Sequence, residues 1–343
     1  MKKVMIGMSG GVDSAVSAYL LKEKGYDVTG VTLRLCEENE CDSSDAKAVA
    51  ERIGVAHTVD DMSDLFSQKV IDDFINSYKQ GGTPNPCIVC NKHIKFGAML
   101  DYALNKGMDY IATGHYARIE KAADGRYILR KAADLSKDQT YVLYPLTQEQ
   151  LSRVIFPLGE LSKSEVRSIA EAQGLINAHK RDSQDICFVP DGDYAAFIER
   201  YTGESFPCGA FVDSKGNKLG EHKGIIRYTI GQRKGLGIAL GEPAFVCAKN
   251  AEENTVTLGK NEELFSKTLV AHSVNLITCD SIDAPMRVCA KVRYNQKEQP
   301  ATAISIGNGR LKVEFDEPQR AICKGQSVVL YDGDTVVGGG IID

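Results

Sequence analysis

KKVMIGMSGGVDSAVSAYLLKEKG, Lys2–Gly25, is the stretch whose reading decides the fold. Lys2–Met8 reads as a buried strand and Ser9–Gly11 as a glycine turn. From Asp13 apolar residues recur at helical spacing up to Gly25, a good C-terminal stop. Backbone N–H groups at Ser9, Gly10 and Gly11 can converge on a phosphate, because glycine tolerates the dihedrals such a loop needs. The helix start adds partial positive charge, and the Ser9 and Ser14 hydroxyls add donors. The loop lacks the Gly-Lys-Ser/Thr of a Walker sequence, and its spacing is not G-x-G-x-x-G. The plain alternative is a strand–turn–helix corner with Asp13 as its helix-start residue.

Further along, strand-like and helix-like segments alternate. DVTGVTLRL reads as a strand, SSDAKAVAERIG as a helix capped by Ser43 or Ser44, AHTVD as a strand and SDLFSQKVIDDFINSY as an amphipathic segment. IKFGAMLDYALNKG reads as a helix and DYIATGH as a strand, so βαβ units around a parallel sheet are expected. ARIEKAADGRYILRKA looks like a hairpin turning at Asp124-Gly125, and Ser162 with Glu165 forms a capping box. Near residue 200 the texture becomes β-rich, with turn signals at Ser214–Asn217, Gly307–Gly309 and Asp332-Gly333. The expected architecture is an α/β domain with a doubly wound parallel sheet over 1–200, a small central β-rich domain over 201–268 and a C-terminal β-barrel over 269–343.

At 343 residues, with 43% hydrophobic and 25% charged residues, the chain can bury more than one core. No apolar run reaches the length of a membrane span, and the first apolar run is too short for a signal peptide, so a cytoplasmic protein is expected. There the ten cysteines should be thiols acting as ligands or nucleophiles rather than staples. A net charge of −5 excludes a protein coated in positive charge but leaves room for local basic patches. Lys223, Arg227, Arg233 and Lys234 form one acid-free stripe; Arg287, Lys291, Arg293 and Lys297 form another. Such stripes can neutralise phosphates, and Tyr228 or Tyr294 could stack on an extruded base.

GGTPNPCIVCNKHIKF, Gly81–Phe96, carries Cys87 and Cys90 at C-x-x-C spacing just after a turn-rich run. Zinc, a redox pair, an iron–sulfur ligand set and a catalytic nucleophile all remain open on that spacing alone; His93 extends it to C-x-x-C-x-x-H.

Ser9–Ser14 resembles the S-G-G-x-D-S signature of the PP-loop ATP pyrophosphatases, which cleave ATP between the α- and β-phosphates and transfer AMP to an oxygen. TPNPCIVCNKHIKF, ATGHYAR (Ala112–Arg118), SKDQTYVLY (Ser136–Tyr144), DSQDICFV (Asp182–Val189), YTIGQRKGLG (Tyr228–Gly237), KVRYNQ (Lys291–Gln296) and the closing GGGIID follow in order. Together they resemble the bacterial tRNA-specific 2-thiouridylase family, MnmA, over essentially the whole chain. The resemblance implies adenylation of O2 of a wobble uridine in tRNA and replacement of that oxygen by sulfur, with ATP and Mg²⁺ as cofactors. A sulfur donor, such as a cysteine desulfurase or relay protein, is implied as a partner. No membrane partner is expected, and the chain should be a monomer or weak dimer.

By position, the resemblance makes Cys187 the persulfide carrier and Cys90 the second catalytic cysteine, joined in a transient Cys90–Cys187 disulfide. Gly7, Met8, Ser9, Gly10, Gly11, Val12, Asp13 and Ser14 would bind ATP, with Leu33 lining the adenine site and Gly114 closing on the nucleotide. Asn85, Pro86 and Cys87 would contact the target base, and Lys137, Asp138, Gln139, Arg293 and Tyr294 the tRNA. The chain departs from the pattern at Cys87, where many family members have aspartate. The substitution creates a three-thiolate set, Cys87, Cys90 and Cys187, resembling that of related thiolases with a [4Fe–4S] cluster; persulfide relay and a cluster route are both carried forward. The other readings are a PP-loop synthetase forming an amide or amidine, and a non-catalytic nucleotide- or metal-sensing module.

Overall fold

In the computed structural model, which describes residues 1–36, 43–178 and 186–343, Lys2–Gly25 forms the expected strand, turn and helix. Strand β1 (Lys3–Gly7) lies between β2 (Asp27–Arg34) and β4 (Tyr110–Ala112), with β3 (Ala56–Asp61) and the short β7 (Val154–Ile155) outside them; all pair in parallel. Alternation along β1 sends Val4 and Ile6 into a core with the Val12–Glu23, Ser44–Ile53 and Lys163–Ala172 helices. Met5 faces the opposite core, built on the helical segments at 63–79 and 86–105. Helices on both faces make the sheet doubly wound, as expected.

The helix boundaries show what the sequence concealed. Ser43 holds the N-cap position of its helix but makes no capping hydrogen bond, whereas Ser162 and Glu165 form the full reciprocal box. The helix expected to start at Ile94 starts instead at Pro86. Asn85 caps it, its side chain accepting from the Cys87 N–H at 3.2 Å, and proline fits the first helical position because it lacks an N–H. Cys87 and Cys90 therefore sit one turn apart on a helix, not in a loop. From Asn91 to Ala98 the helix widens into π geometry, a feature common near functional sites.

The central domain is a four-stranded sheet of β8 (Gly209–Val212), β9 (Lys218–His222), β10 (Phe245–Asn250) and β11 (Thr255–Gly259), in the order β10-β11-β8-β9. The last domain is a closed antiparallel barrel of β12 (Phe265–Leu276), β13 (Met286–Lys291), β14 (Gln299–Ser305), β15 (Leu311–Arg320), β16 (Ser327–Asp332) and β17 (Thr335–Ile342), closed by β12 on β17. The expected hairpin forms as β5 (Ala117–Lys121) and β6 (Tyr127–Lys131), but β6 also pairs Arg130 with Thr335 and so joins the barrel sheet. Both expected domain cuts fall inside elements: the Tyr194–Thr202 helix spans 200, and β12 spans 268. That helix packs Phe197 on Phe188, at 5.2 Å between ring centroids, and so belongs partly to the α/β core.

Candidate active site

The carboxyl ends of the parallel strands hold the site, as expected for an open α/β sheet. The loop after β1 turns through Gly10, at φ +71°, into the helix beginning at Val12. The Ser14 hydroxyl donates to the Gly11 carbonyl at 3.0 Å and accepts from the Ser9 N–H at 3.3 Å, tying the loop into a ring around the helix start. Met8 and Val12 are buried, so of these two only the backbone can face a nucleotide. Gly114 lies against the same turn: a Cβ there would stand 2.9 Å from the Asp13 carbonyl carbon and the Ser14 nitrogen. Leu33 is half-buried on the neighbouring strand.

Three partners of this loop escape local reading. Lys163 donates to both Asp13 carboxylate oxygens, at 2.8 and 2.9 Å, from 150 residues away. The Tyr116 hydroxyl donates to Asp13 at 2.8 Å, and Asn177 donates to the Gly10 carbonyl at 3.2 Å across 167 residues. The buried Asn177 Oδ1 has no partner. Tyr116 lies in the ATGHYAR motif, but nothing in the sequence marks Lys163 or Asn177 as partners of the loop, because tertiary folding alone brings them there. The exposed Ser9, the positive-φ glycine and the helix start fit a bound pyrophosphate. Asp13 is the one carboxylate of the Ser9–Ser14 loop, and since both its oxygens accept from Lys163, a Mg²⁺ there would be carried mainly by the phosphates.

The thiols lie on one face of this sheet. Cys36, two residues past β2, packs against the same core as Cys90 and Phe188. Cys90 is buried, and burial pushes its thiol up to about 12, against the opposing pull of Lys95. Cys87 is exposed. Cys187 is also exposed, yet protein crowds it on most sides; that desolvation, followed by the charge of Cys87, raises its thiol. Asp182–Asp185, part of the motif around Cys187, lies outside the described residues. Phe188 anchors the position by packing edge-on against Phe66 and Phe74, at 5.7 and 5.2 Å. Among the described residues no group of three or more Cys, His, Asp or Glu is arranged to hold a metal ion.

Both β-domains grip the segment leading into Cys87. Thr83 donates its N–H to the Lys324 carbonyl at 2.8 Å, and Gln326 donates to the Thr83 carbonyl at 2.7 Å. Lys249 of β10 donates to the carbonyls of Gly82, at 3.3 Å, and Tyr228, at 2.7 Å. Of the residues expected to meet the base, Pro86 is buried and Asn85 serves the helix cap, leaving Cys87 as the exposed one. Asp138 accepts from the Ala132 N–H and the Thr140 hydroxyl, and Gln139 accepts from the Tyr116 N–H. These contacts fix the Lys137–Gln139 loop beside the site. Tyr294 reaches that loop, its hydroxyl donating to the Asp138 carbonyl at 3.4 Å. Arg293 turns inward: its Nη2 lies 3.0 Å from the Ile230 carbonyl and 2.9 Å from that of Ala321, bridging the central domain and barrel. Tyr228 is buried against Phe211 and His222, so the stacking expected of it is ruled out; Tyr294 stays exposed.

A doubly wound sheet with a glycine turn at a helix start after its first strand, thiols packed on one face of that sheet and two appended β-domains define a PP-loop type of nucleotide-dependent enzyme. The family model described as the tRNA methyl transferase HUP domain matches residues 2–191, the tRNA methyl transferase PRC-barrel domain matches 195–260, and the aminomethyltransferase beta-barrel domain matches 266–342. A tRNA-specific 2-thiouridylase MnmA of Clostridioides difficile is 54% identical over 100% of this chain and 98% of its own. Its counterpart in Treponema denticola is 53% identical over 99% of this chain and 98% of its own. The chain belongs to the MnmA family of tRNA-specific 2-thiouridylases.

Proposed function

We propose that this protein is an ATP-dependent tRNA sulfurtransferase that adenylates O2 of the wobble uridine and replaces that oxygen with sulfur from a Cys187 persulfide. The observation that carries this reading is that the glycine turn follows β1 while Cys36, two residues past the neighbouring β2, packs on the core that holds Cys90 and Phe188. A carbonyl oxygen on a pyrimidine leaves poorly, and AMP leaves well; a persulfide is a strong nucleophile near neutral pH. The family-model descriptions speak of methyl transfer, but thiols on a sheet that carries a phosphate loop suit activation followed by sulfur attack. The full-length relatives carry that activity in their names.

In this reading Ser9–Ser14 holds the pyrophosphate while Lys163 and Tyr116 keep Asp13 aligned. Tyr294 and the Lys137–Gln139 loop border the thiol-lined opening where the target base enters. A persulfide-bearing donor protein loads Cys187. The arrangement of the thiols lends no support to a cluster, and no step is routed through one. An amide-forming synthetase remains the rival, and it assigns no task to Cys187.

The deciding experiment supplies unmodified tRNA, ATP and a persulfide donor to protein freed of iron, and quantifies AMP and 2-thiouridine by mass spectrometry. Both products are expected from the wild type, and 2-thiouridine is expected to vanish in Cys187→Ser. Full product from Cys187→Ser would remove the persulfide relay, and product only from iron-loaded protein would replace it.

A further inference from the structure

We propose that Tyr116 and Lys163 are positioning residues that make ATP affinity at the Ser9–Ser14 loop depend on tRNA held at the Lys137–Gln139 loop, and the reverse. The inference rests on the sulfurtransferase reading above, which brings tRNA to that second loop. It concerns binding and leaves the sulfur chemistry untouched.

Two separate legs run from one loop to the other, and both end on the Asp13 carboxylate. In the first, the Gln139 N–H donates to the Tyr116 carbonyl at 3.0 Å, and the Gln139 side chain accepts from the Tyr116 N–H at 2.9 Å. This pair of bonds fixes the Tyr116 backbone to the loop, and the Tyr116 hydroxyl donates to Asp13 Oδ1 at 2.8 Å. In the second, the Lys163 N–H donates to the Asp134 carboxylate at 3.2 Å, while its ammonium donates to both Asp13 oxygens, at 2.8 and 2.9 Å. Asp134 opens the same loop. Its carbonyl accepts from the Lys137 N–H at 3.0 Å, and its carboxylate also accepts from the Ser136 N–H and hydroxyl, at 3.0 and 2.6 Å. The legs brace each other where they meet, the Lys163 ammonium standing 5.9 Å from the centre of the Tyr116 ring. The loop from Asp134 to Gln139 is thus tied at each end to a residue that itself holds Asp13.

Burial makes these bonds hard to exchange for water: Tyr116 is 3% exposed and the Lys163 side chain 12%. Bonds to an ionised carboxylate are also stronger than neutral ones. A ligand shifts an equilibrium only between states that it binds differently. The two states here are Asp13 held by both legs, as in this structure, and Asp13 released from one or both. Released, its negative charge would face the phosphates of ATP at short range and repel them; held, it is covered by an ammonium and a hydroxyl. ATP therefore favours the held state. tRNA on Lys137–Gln139 favours it too, because it immobilises the segment to which both legs are anchored. Each ligand thus tightens the other, and by the same factor, since coupling between two binding sites is reciprocal.

The test is a linkage measurement on the full chain. It uses unmodified tRNA and, with Mg²⁺, the α,β-methylene analogue of ATP, which resists cleavage between the α- and β-phosphates. The dissociation constant of each ligand is measured with and without a saturating amount of the other. In the wild type each should bind about fivefold or more tightly when the other is present. In Tyr116→Phe, which keeps the buried ring and removes one bond to Asp13, both factors should fall together toward one. Asp134→Ala, which cuts the second leg at its far end, should do the same. A merely structural defect would weaken each ligand measured alone and leave the factor in place, so the factor separates the two roles. A factor unchanged in Tyr116→Phe overturns the role given to Tyr116, and one unchanged in Asp134→Ala overturns that given to Lys163. A wild type that binds both ligands independently overturns the whole inference and leaves the sulfurtransferase reading intact. A wild type that binds no tRNA and releases no AMP from ATP in its presence overturns that reading and the inference together.

Discussion

At the residue scale, Gly114 shows how a residue with no side chain can control the phosphate loop it packs against. The missing Cβ would meet backbone atoms of Asp13 and Ser14, which cannot swing aside as a flexible side chain could. Gly114→Ala is therefore expected to cost about 1–3 kcal/mol of stability through overpacking. It should also displace the turn that receives ATP, raising the dissociation constant for ATP in calorimetry. Unchanged ATP affinity would mean that the loop does not need this close contact. Lys249 gives a second residue-scale prediction, this time in pH. Burial lowers its ammonium pKa to about 8, beside the Tyr78 ring at 5.8 Å and the neighbouring Cys323. Below about pH 8 both folded and unfolded chains hold the proton and the cost of burying charge is constant. Between about 8 and 10.5 the unfolded chain binds more protons, so this group makes stability rise with pH, by on the order of 3 kcal/mol in total. The neutral amine can still donate to Gly82 and Tyr228. Denaturant titrations across that range should show the rise in the wild type relative to Lys249→Met; parallel pH profiles would contradict it.

At the element scale, legibility followed the range of the interactions that decide each element. The strand–loop–helix at Lys2–Gly25 and the capping box at Ser162 are specified by neighbours in sequence, so pattern and chemistry sufficed. The Pro86 helix start was obscured because turn-like residues at Gly81–Asn85 run straight into it, and the π-widened stretch from Asn91 to Ala98 spoils the 3.6-residue period. The β5–β6 hairpin was legible as a hairpin, but its attachment depends on Asp334, over 200 residues away. Asp334 accepts from Arg118 at 3.0 Å and from Arg130 at 2.6 Å, and the two guanidinium groups hold its carboxyl below the usual range. The Asp334 side chain is 43% exposed, so each ion pair contributes only fractions of a kcal/mol. Asp334→Ala should cost about 1 kcal/mol of global stability at most. Its main effect should be faster amide exchange through Ala117–Lys131, with the parallel sheet unaffected. Equal exchange in both hairpin strands before and after the change would show that its other bonds, among them Lys131–Glu298 and Arg126–Ile277, hold the hairpin without Asp334.

At the scale of the whole molecule, the three domains are stitched together at the segment before Cys87, so barrel and central domain form part of the site's framework. Which cations hold the framework and which meet RNA follows from their partners. Arg227 is paired with Glu199 at 2.7 Å and Arg287 with Asp316 at 2.8 Å, and Arg293 is spent on the carbonyls of Ile230 and Ala321. Arg233 and Lys234 stand exposed on the loop after Tyr228. The sequence displayed all of these as equivalent members of two basic stripes, because charge is visible in sequence and its partners are not. Neutralising a phosphate releases counterions, so each true RNA contact adds about 0.7–0.9 to the slope of log affinity against log salt. Arg233→Ala and Lys234→Ala should each flatten that slope for tRNA by about this amount, with little change in unfolding free energy. Arg293→Ala should do the reverse, losing about 1–3 kcal/mol of stability because buried carbonyls lose a charged donor, and keeping the wild-type salt slope. Filter binding between low and physiological salt, paired with urea unfolding of the same variants, separates the two behaviours. A flattened slope in Arg293→Ala would place its guanidinium on the RNA, and the junction between central domain and barrel would then have to open when tRNA binds.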